Sequence, residues 1–174
     1  MEPGSADEST TRPAPGSDDE DLLLRLTREH RDAAGLILAL QRWSWAGAGD
    51  PARTACELVT DLVRHSLAER IHLLPLVRRH LPEGEATAAR METGQQELEH
   101  QVQELDRLAV TADALSHLTV VDALLTRHAD ELERHGFPAL AAACPVEELR
   151  DAGARAAPRE GAGLVDRIRN LFRG

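Results

Sequence analysis

Apolar side chains recur at spacings of three and four residues along most of the chain, a periodicity typical of amphipathic helices. Short runs of glycine, proline and acidic residues separate four segments with this pattern. The pattern predicts helices over about residues 20–45, 51–80, 85–110 and 112–135. Because the connections are short, consecutive helices must run antiparallel. We therefore expect an all-α, up-down-up-down four-helix bundle over residues 20–140.

Glycine and proline fix the ends of the predicted helices. Gly47 and Gly49 end the first helix, Asp50 suits the N-cap of the second, and Pro51 suits its first turn. Pro75 lies inside the periodic pattern of the second helix. Because proline has no backbone N–H and its ring crowds the preceding turn, we expect it to kink or end that helix.

The segments outside the bundle have a different composition. Residues 1–19 are rich in proline, glycine, serine and acidic residues, which predicts a disordered acidic tail. Residues 141–163 are interpreted as a linker that contains a short acidic helical piece. Residues 164–173 are predicted to form a short amphipathic helix that could dock on the bundle or contact a partner.

Several polar residues fall on the inward stripes of the predicted helices. His65 and Glu69 lie one turn apart on an otherwise apolar face, and His30 and His128 lie on the core faces of the first and fourth helices. Gln95 is the corresponding polar residue of the third helix. Burying an imidazole and a carboxylate is costly unless they are paired. These groups therefore either hold a metal ion or hold each other.

The second and fourth helices end in a similar way at an offset of 63 residues. The position that matches Glu69 is Leu132, with Glu131 and Glu133 on either side. The second histidine of each copy is seven residues from the first, about 10.5 Å along the axis, which is too far to complete the same site. His80, His100 and His117 are expected to face solvent. The repeated landmarks are Arg64-His65, His72 and Leu74-Pro75, followed by Arg127-His128, His135 and Phe137-Pro138.

Charge and composition exclude several functional classes. A net charge of −10 argues against general nucleic-acid binding. No apolar run approaches the ~20 residues of a membrane span, and no signal peptide is recognisable, so a soluble cytoplasmic protein without a transmembrane segment is expected. Cys56 and Cys144 fit no CxxC pattern and are interpreted as reduced structural thiols.

The chain resembles the bacterial, actinobacterial-type, hemerythrin-like (HHE cation-binding) family over about residues 20–140. The resemblance rests on four stretches of sequence: Glu29-His30-Arg31, the segment 62–84 with its Leu-Pro pair, His128-Ala129-Asp130-Glu131, and the closing segment 161–167. The resemblance implies a four-helix bundle with a non-heme diiron centre. It also implies binding of O2 or NO, sensing, or a stress response.

The ligand set implied by the resemblance is incomplete. His30, His65, Glu69 and His128 match family ligand positions, whereas the helix-three histidine falls at Gln95 and the bridging acid of helix four falls at Leu132. Both losses concern the same iron, so the resemblance implies an altered or mononuclear iron site. Two histidines and one carboxylate suit mononuclear iron(II), and they also suit zinc or manganese.

Weaker ligand candidates accompany this set. Glu131 or Glu133 could turn inward if the fourth helix contains a π-bulge, and Gln95 could bind through its carbonyl oxygen. If one ion is shared, His30, His65, Glu69 and His128 should converge within about 4–5 Å.

Two functional hypotheses follow. The first is a hemerythrin-like iron-binding protein that senses oxygen, nitric oxide or redox state. The alternative is a degenerate, metal-free bundle that acts as a structural or interaction module. An enzymatic activity is less expected, because the sequence has no tyrosine and no acid–base pair beyond these residues.

Overall fold

In the computed structural model, residues 20–46, 50–108 and 112–157 are described, and within these ranges the chain is helical with no β-strand. The α-helices are α1 (Leu22–Ala46), α2 (Pro51–Ala68), α3 (Leu74–His80), α4 (Gly84–Leu108), α5 (Ala112–Glu131), α6 (Phe137–Ala143) and α7 (Val146–Ala156). Two π-helical turns, π1 (Glu69–Leu73) and π2 (Leu132–Gly136), join α2 to α3 and α5 to α6.

The four long helices form the predicted bundle. Helix α1 packs against α2 and α5, and α4 packs against the same two helices, so the four surround a common core. The start of α2 is as predicted, since the Asp50 carboxylate accepts a hydrogen bond from the Arg53 N–H at 3.1 Å and Pro51 is the first helical residue. The predicted all-α four-helix bundle is therefore confirmed.

Each π turn is followed by a proline. Pro75 and Pro138 occupy the second positions of α3 and α6. The Leu74 N–H donates to Glu69 O, and the Phe137 N–H donates to Leu132 O, each reaching five residues back. The wider turn lets the chain pass a residue that has no N–H without ending the helix. Pro75 therefore interrupts the α-helical register without ending the helical segment, which continues to His80. We call each of the four continuous helical segments a rod: α1, α2–π1–α3, α4 and α5–π2–α6.

The extra residue in each π turn changes which side chains face the core. One added residue rotates the following helix by about 100° relative to an uninterrupted α-helix. Leu73 and Leu74 are buried, whereas His72 is only half-buried and His135 is exposed. An unbroken period of 3.6 residues would place His72 and His135 on the inward stripe, three residues after Glu69 and Leu132. The π turns displace the stripe at both positions.

The described part of the interval expected to be a linker, residues 141–157, contains the predicted short acidic helical piece as α7. The fourth rod continues through α6 to Ala143, and α7 packs against α1 with Leu149 and Ala152 buried. A Cβ at Gly153 would lie 2.3 Å from Glu20 O, so glycine permits this close approach to the start of α1. The sequence pattern predicted this short helix, but it did not predict that the helix packs against α1.

A layer of polar side chains separates two apolar clusters. On α1, His30 lies between Leu26 of one cluster and Ala33 of the other. The other long helices alternate in the same way, with apolar residues of the two clusters on either side of the inward polar groups. The buried members of this layer are His30, His65, Ser66, Glu69, Gln95 and His128.

Two predictions lie outside the described residues: the disordered tail at 1–19 and the amphipathic helix at 164–173. Among the residues that are described, no helix combines the length and apolar character needed to cross a membrane.

Candidate metal centre

Three rods of the bundle contribute four buried donor side chains to one place. His30 comes from α1, His65 from the last turn of α2, Glu69 from the first position of π1, and His128 from the last turn of α5. Each is at most 8 % exposed. The predicted convergence of these four side chains is what the structure shows, since one donor atom from each lies within 4.8 Å of the others.

Glu69 is the acceptor at the centre of this group. Its Oε1 atom lies 3.0 Å from His128 Nε2 and 3.3 Å from His65 Nε2. The His30 ring is close to both other imidazoles, with centroids 4.6 Å from His65 and 5.6 Å from His128. A cation with ligands at about 2 Å would close this spacing with small side-chain shifts.

Two further carboxylates orient the imidazoles from outside. Glu29 Oε2 accepts a hydrogen bond from His65 Nδ1 at 3.1 Å, and Glu133 Oε1 accepts one from His30 Nδ1 at 2.8 Å. A hydrogen on Nδ1 leaves the Nε2 lone pair available for a metal. This carboxylate–histidine arrangement is the usual outer support of a metal ligand.

The inner nitrogen atoms of the same two rings lack hydrogen bonds. His30 Nε2 and His65 Nε2 are buried and have no hydrogen-bond partner among the described residues. His65 Nε2 is near Glu69, but its direction does not satisfy a hydrogen bond. Buried polar atoms are rarely left in this state. The donor set therefore fits a cation at its centre.

The charges of the metal-free site are strongly coupled. Burial opposes protonation of His65, but Glu69 and the hydrogen bond to Glu29 outweigh it and raise the pKa of His65 to about 10. Burial also disfavours the Glu69 carboxylate, yet His128 and His65 hold its pKa well below the ordinary range. Burial and the neighbouring His65 lower the pKa of His30 to about 4. A protonated His65 thus balances the Glu69 charge when no cation is present.

The weaker ligand candidates do not join the four donors. Glu131 is exposed, and the buried Gln95 instead donates its Nε2–H to the carbonyl oxygen of Ser66. Leu132 is buried within the apolar cluster. The anticipated π-bulge is present as π2, but it turns Glu133 towards the outer nitrogen of His30.

The remaining histidines lie elsewhere. His100 is exposed, as expected, and His117 is partly buried with its Nε2–H donated to Gln101 O at 3.0 Å. His80 was expected in solvent, but its side chain is 16 % exposed and pairs with Glu148 of α7 at 3.2 Å. The packing of α7, which the sequence pattern did not predict, accounts for this difference.

Sequence reasoning missed the supporting role of the two outer carboxylates. Glu29 precedes a predicted ligand but bonds to a histidine of another helix, so no spacing within one helix could identify its partner. Glu133 was considered only as a direct ligand. Its reach to Nδ1 depends on the rotation introduced by π2.

Comparison with known protein families gives a match that covers most of the bundle. The sequence model of one protein family, described as the hemerythrin HHE cation binding domain, matches residues 21–140, well over half of the chain. No curated protein and no solved structure matches the chain. The matched range includes all four inner donors and both outer carboxylates, and it ends before Cys144 and α7.

Proposed function

Because the chain belongs to the hemerythrin HHE cation-binding family, we propose that it binds one non-heme iron ion through His30, His65, Glu69 and His128. We further propose that this site serves in sensing oxygen, nitric oxide or redox state, or in a stress response. The family match supports cation binding, and the finer proposal rests on the donor set of this chain.

One observation carries the metal assignment. Two buried imidazoles each donate Nδ1–H to an outer carboxylate, and neither Nε2 atom makes a hydrogen bond to the described residues. His65 Nε2 is in ionic contact with Glu69 Oε1 at 3.3 Å, whereas His30 Nε2 has no polar partner there. In a bundle packed only for stability, we expect apolar side chains or fully hydrogen-bonded polar side chains at these positions, because an unsatisfied buried polar atom costs about 1–3 kcal/mol. A cation would satisfy both nitrogen atoms at once, and it would replace the proton of His65 as the charge that balances Glu69.

The donor set supports one ion in preference to two. All four inner donors face the same centre, whereas the positions that would serve a second ion hold the buried Leu132 and the hydrogen-bonded Gln95. Two histidines and a carboxylate on one side of a metal are typical of mononuclear iron(II) sites, and here a third histidine, His128, is added to that set. An iron(II) ion held by these residues would supply redox chemistry and affinity for a diatomic ligand.

A metal-free bundle is the second candidate, and the contacts of Glu69 favour it. Its carboxylate is already hydrogen-bonded to His128 and lies beside His65, so the site has a self-neutralised state. On this alternative the polar layer would give the bundle specificity as a structural or interaction module. It leaves His30 Nε2 without a role, and we therefore place it second.

Elemental analysis decides between the two candidates. Protein purified from iron-supplemented cells should contain about one iron ion per chain, with zinc and manganese measured alongside it. Glu69→Ala and His65→Ala should lose this metal, whereas the exposed neighbour in Glu131→Ala should keep it. Wild-type protein that contains no metal, and whose melting temperature is unchanged by a chelator, would establish the metal-free alternative.

The sensing proposal has its own measurement. Ferrous wild-type protein exposed to nitric oxide should develop a new electron paramagnetic resonance signal that Glu69→Ala lacks. Iron-loaded protein that shows no spectral response to nitric oxide or oxygen would retain the metal assignment and overturn the gas-sensing role.

A further inference from the structure

A second group of metal-ligating side chains lies at one end of the bundle, away from the central donors. It consists of His80, Cys144 and Glu148, and one donor atom from each lies within 4.8 Å of the others. His80 is 15 residues beyond His65 on the same rod, which is roughly 20 Å along the axis. This group is therefore separate from the proposed iron site.

Three segments meet here because of the way the two rods end. His80 is the last residue of α3, and Cys144 is the residue that caps α6, with its N–H donated to Leu140 O at 2.8 Å. Helices α3 and α6 are packed together. Pro145 then begins the turn into α7, whose first turn contains Glu148 and whose Leu149 is buried in the shared apolar cluster.

The side chains of this group are partly buried and close to one another. Glu148 Oε2 lies 3.2 Å from His80 Nε2 and 2.9 Å from the guanidinium of Arg79. The Cys144 thiol is buried and donates weakly to Pro145 O at 3.6 Å. The Glu148 side chain is 38 % exposed, so one side of the group is open to water and to an entering ion.

We propose that His80, Cys144 and Glu148 form a second metal site, specific for zinc, with water as the fourth ligand. Imidazole, thiolate and carboxylate are the three protein ligand types of zinc, and a site with three protein ligands and a solvent position is four-coordinate. Thiolate and imidazole donors favour zinc over iron(II), which binds nitrogen and sulfur donors more weakly. The thiolate and carboxylate charges balance a divalent cation.

Binding at this site includes a proton step. The Sγ–H bond of Cys144 breaks, an Sγ–Zn bond forms, and the proton leaves to solvent. Burial, together with the Glu148 charge, raises the pKa of the Cys144 thiol in the absence of metal. Zinc must also compete with Arg79 for Glu148. The release of the thiol proton predicts an affinity that increases with pH, whereas Arg79 lowers the affinity to the same extent at every pH, because its guanidinium stays charged.

Cobalt(II) is the probe for this proposal, because a cobalt–thiolate bond gives a charge-transfer absorption that nitrogen and oxygen ligands do not. Titration of metal-stripped, full-length wild-type protein should produce this band, saturating near one thiolate-bound cobalt per chain. Added zinc should abolish the band by displacement. Cys144→Ser should lack it, and Cys56→Ser, the matched control at the other cysteine, should retain it.

Two more variants make the outcome decisive. Glu69→Ala should lose the iron site and retain the cobalt–thiolate band. The two proposed sites can therefore fail independently, and the band reports only on the zinc site. His80→Gln should weaken zinc binding more than tenfold, since outer-shell partners alone are worth roughly 10–100-fold. The absence of a thiolate band in the wild type would overturn the proposal, whatever the folding of the variants. A band that survives Cys144→Ser and is lost in Cys56→Ser would overturn it as well.

Discussion

Two segments of this bundle, residues 64–81 and 127–144, follow the same backbone course with different side-chain chemistry. Each contains a π turn, a proline at the second position of the next helix, and a capping residue in extended conformation. The bounds of π1 and π2 differ by the same 63 residues as the sequence repeat. The predicted internal repeat is therefore a structural repeat as well.

The difference between the segments is the position of one carboxylate. In the first segment, Glu69 is the first residue of π1, is 2 % exposed and lies among the inner donors. In the second segment, Leu132 occupies that place, and Glu133, one residue later, reaches His30 Nδ1 from outside. A carboxylate at the first position of the π turn is thus an inner donor, whereas a carboxylate one residue later binds the outer nitrogen of a histidine.

This asymmetry extends to the third rod. Gln95 lies in the same polar layer but donates to Ser66 O, in the turn that precedes π1. The Glu69 N–H contacts the carbonyl oxygens of both His65 and Ser66, where the α-helix changes to a π turn. Gln95 therefore supports the backbone that presents Glu69. One half of the layer holds the donors, and the other half is packed to support them.

The largest expected effect comes from making the two segments alike. Leu132→Glu together with Gln95→His introduces an inner carboxylate and a histidine on α4, and the iron content should increase from about one to about two ions per chain. Without metal the new buried carboxylate should lower the melting temperature, and metal should restore it. Elemental analysis and thermal melts with and without chelator measure both effects.

The single variants are the controls for this experiment. Leu132→Glu alone should destabilise the metal-free protein and bind less of the second metal than the double variant. A folded double variant that still binds only one ion would show that Gln95 and Leu132 do not occupy the positions of a lost second metal.

The inward donors were predictable from the sequence because each lies on an uninterrupted α-helical stripe. His30, His65, Glu69 and His128 all precede the π turns or begin one, so a period of 3.6 residues places them correctly. His72 and His135 follow Glu69 and Leu132, and there the same period fails because each π turn adds a residue. Pro75 indicated that the α-helix is interrupted, but the sequence did not show whether the helix would end there or continue after a kink.

Contacts between distant segments were beyond the reach of sequence patterns. The Glu29–His65 hydrogen bond and the Glu148–His80 pair each join two different helices. The first contact depends on how α1 and α2 cross. The second depends on the packing of α7 through Leu149 and Ala152. Periodicity reports which face of a helix is apolar, and it carries no information on which neighbour that face will contact.

The outer carboxylates provide a smaller test of the same comparison. Glu133→Gln and Glu29→Gln each keep an acceptor near Nδ1 but remove its charge, and each should weaken metal binding roughly 10–100-fold, or about 1.4–2.7 kcal/mol. Competition with a chelator of known affinity measures the loss. Glu131→Gln, an exposed neighbour, is the matched control and should bind like the wild type. An unchanged affinity in both Glu133→Gln and Glu29→Gln would mean that these carboxylates only fill space.

The smallest expected effect is the number of protons released when the metal binds, which differs between His65 and His30. Without metal, His65 with a pKa of about 10 carries an extra proton at pH 7, whereas His30 with a pKa of about 4 does not. A metal ion needs the lone pair of both Nε2 atoms, so binding at pH 7 should release about one proton, from His65. The release should disappear as the pH rises through about 10, where His65 has already lost that proton.

Calorimetric titrations in buffers of different ionisation enthalpy measure this release. The Cys144→Ser background is suitable, because it removes the thiol proton of the proposed zinc site. A binding enthalpy that does not vary with the buffer would show that His65 enters the reaction neutral. Glu69 would then lose His65 as a charged partner in the metal-free bundle, and its contact with His128 would remain to compensate for burying its carboxylate.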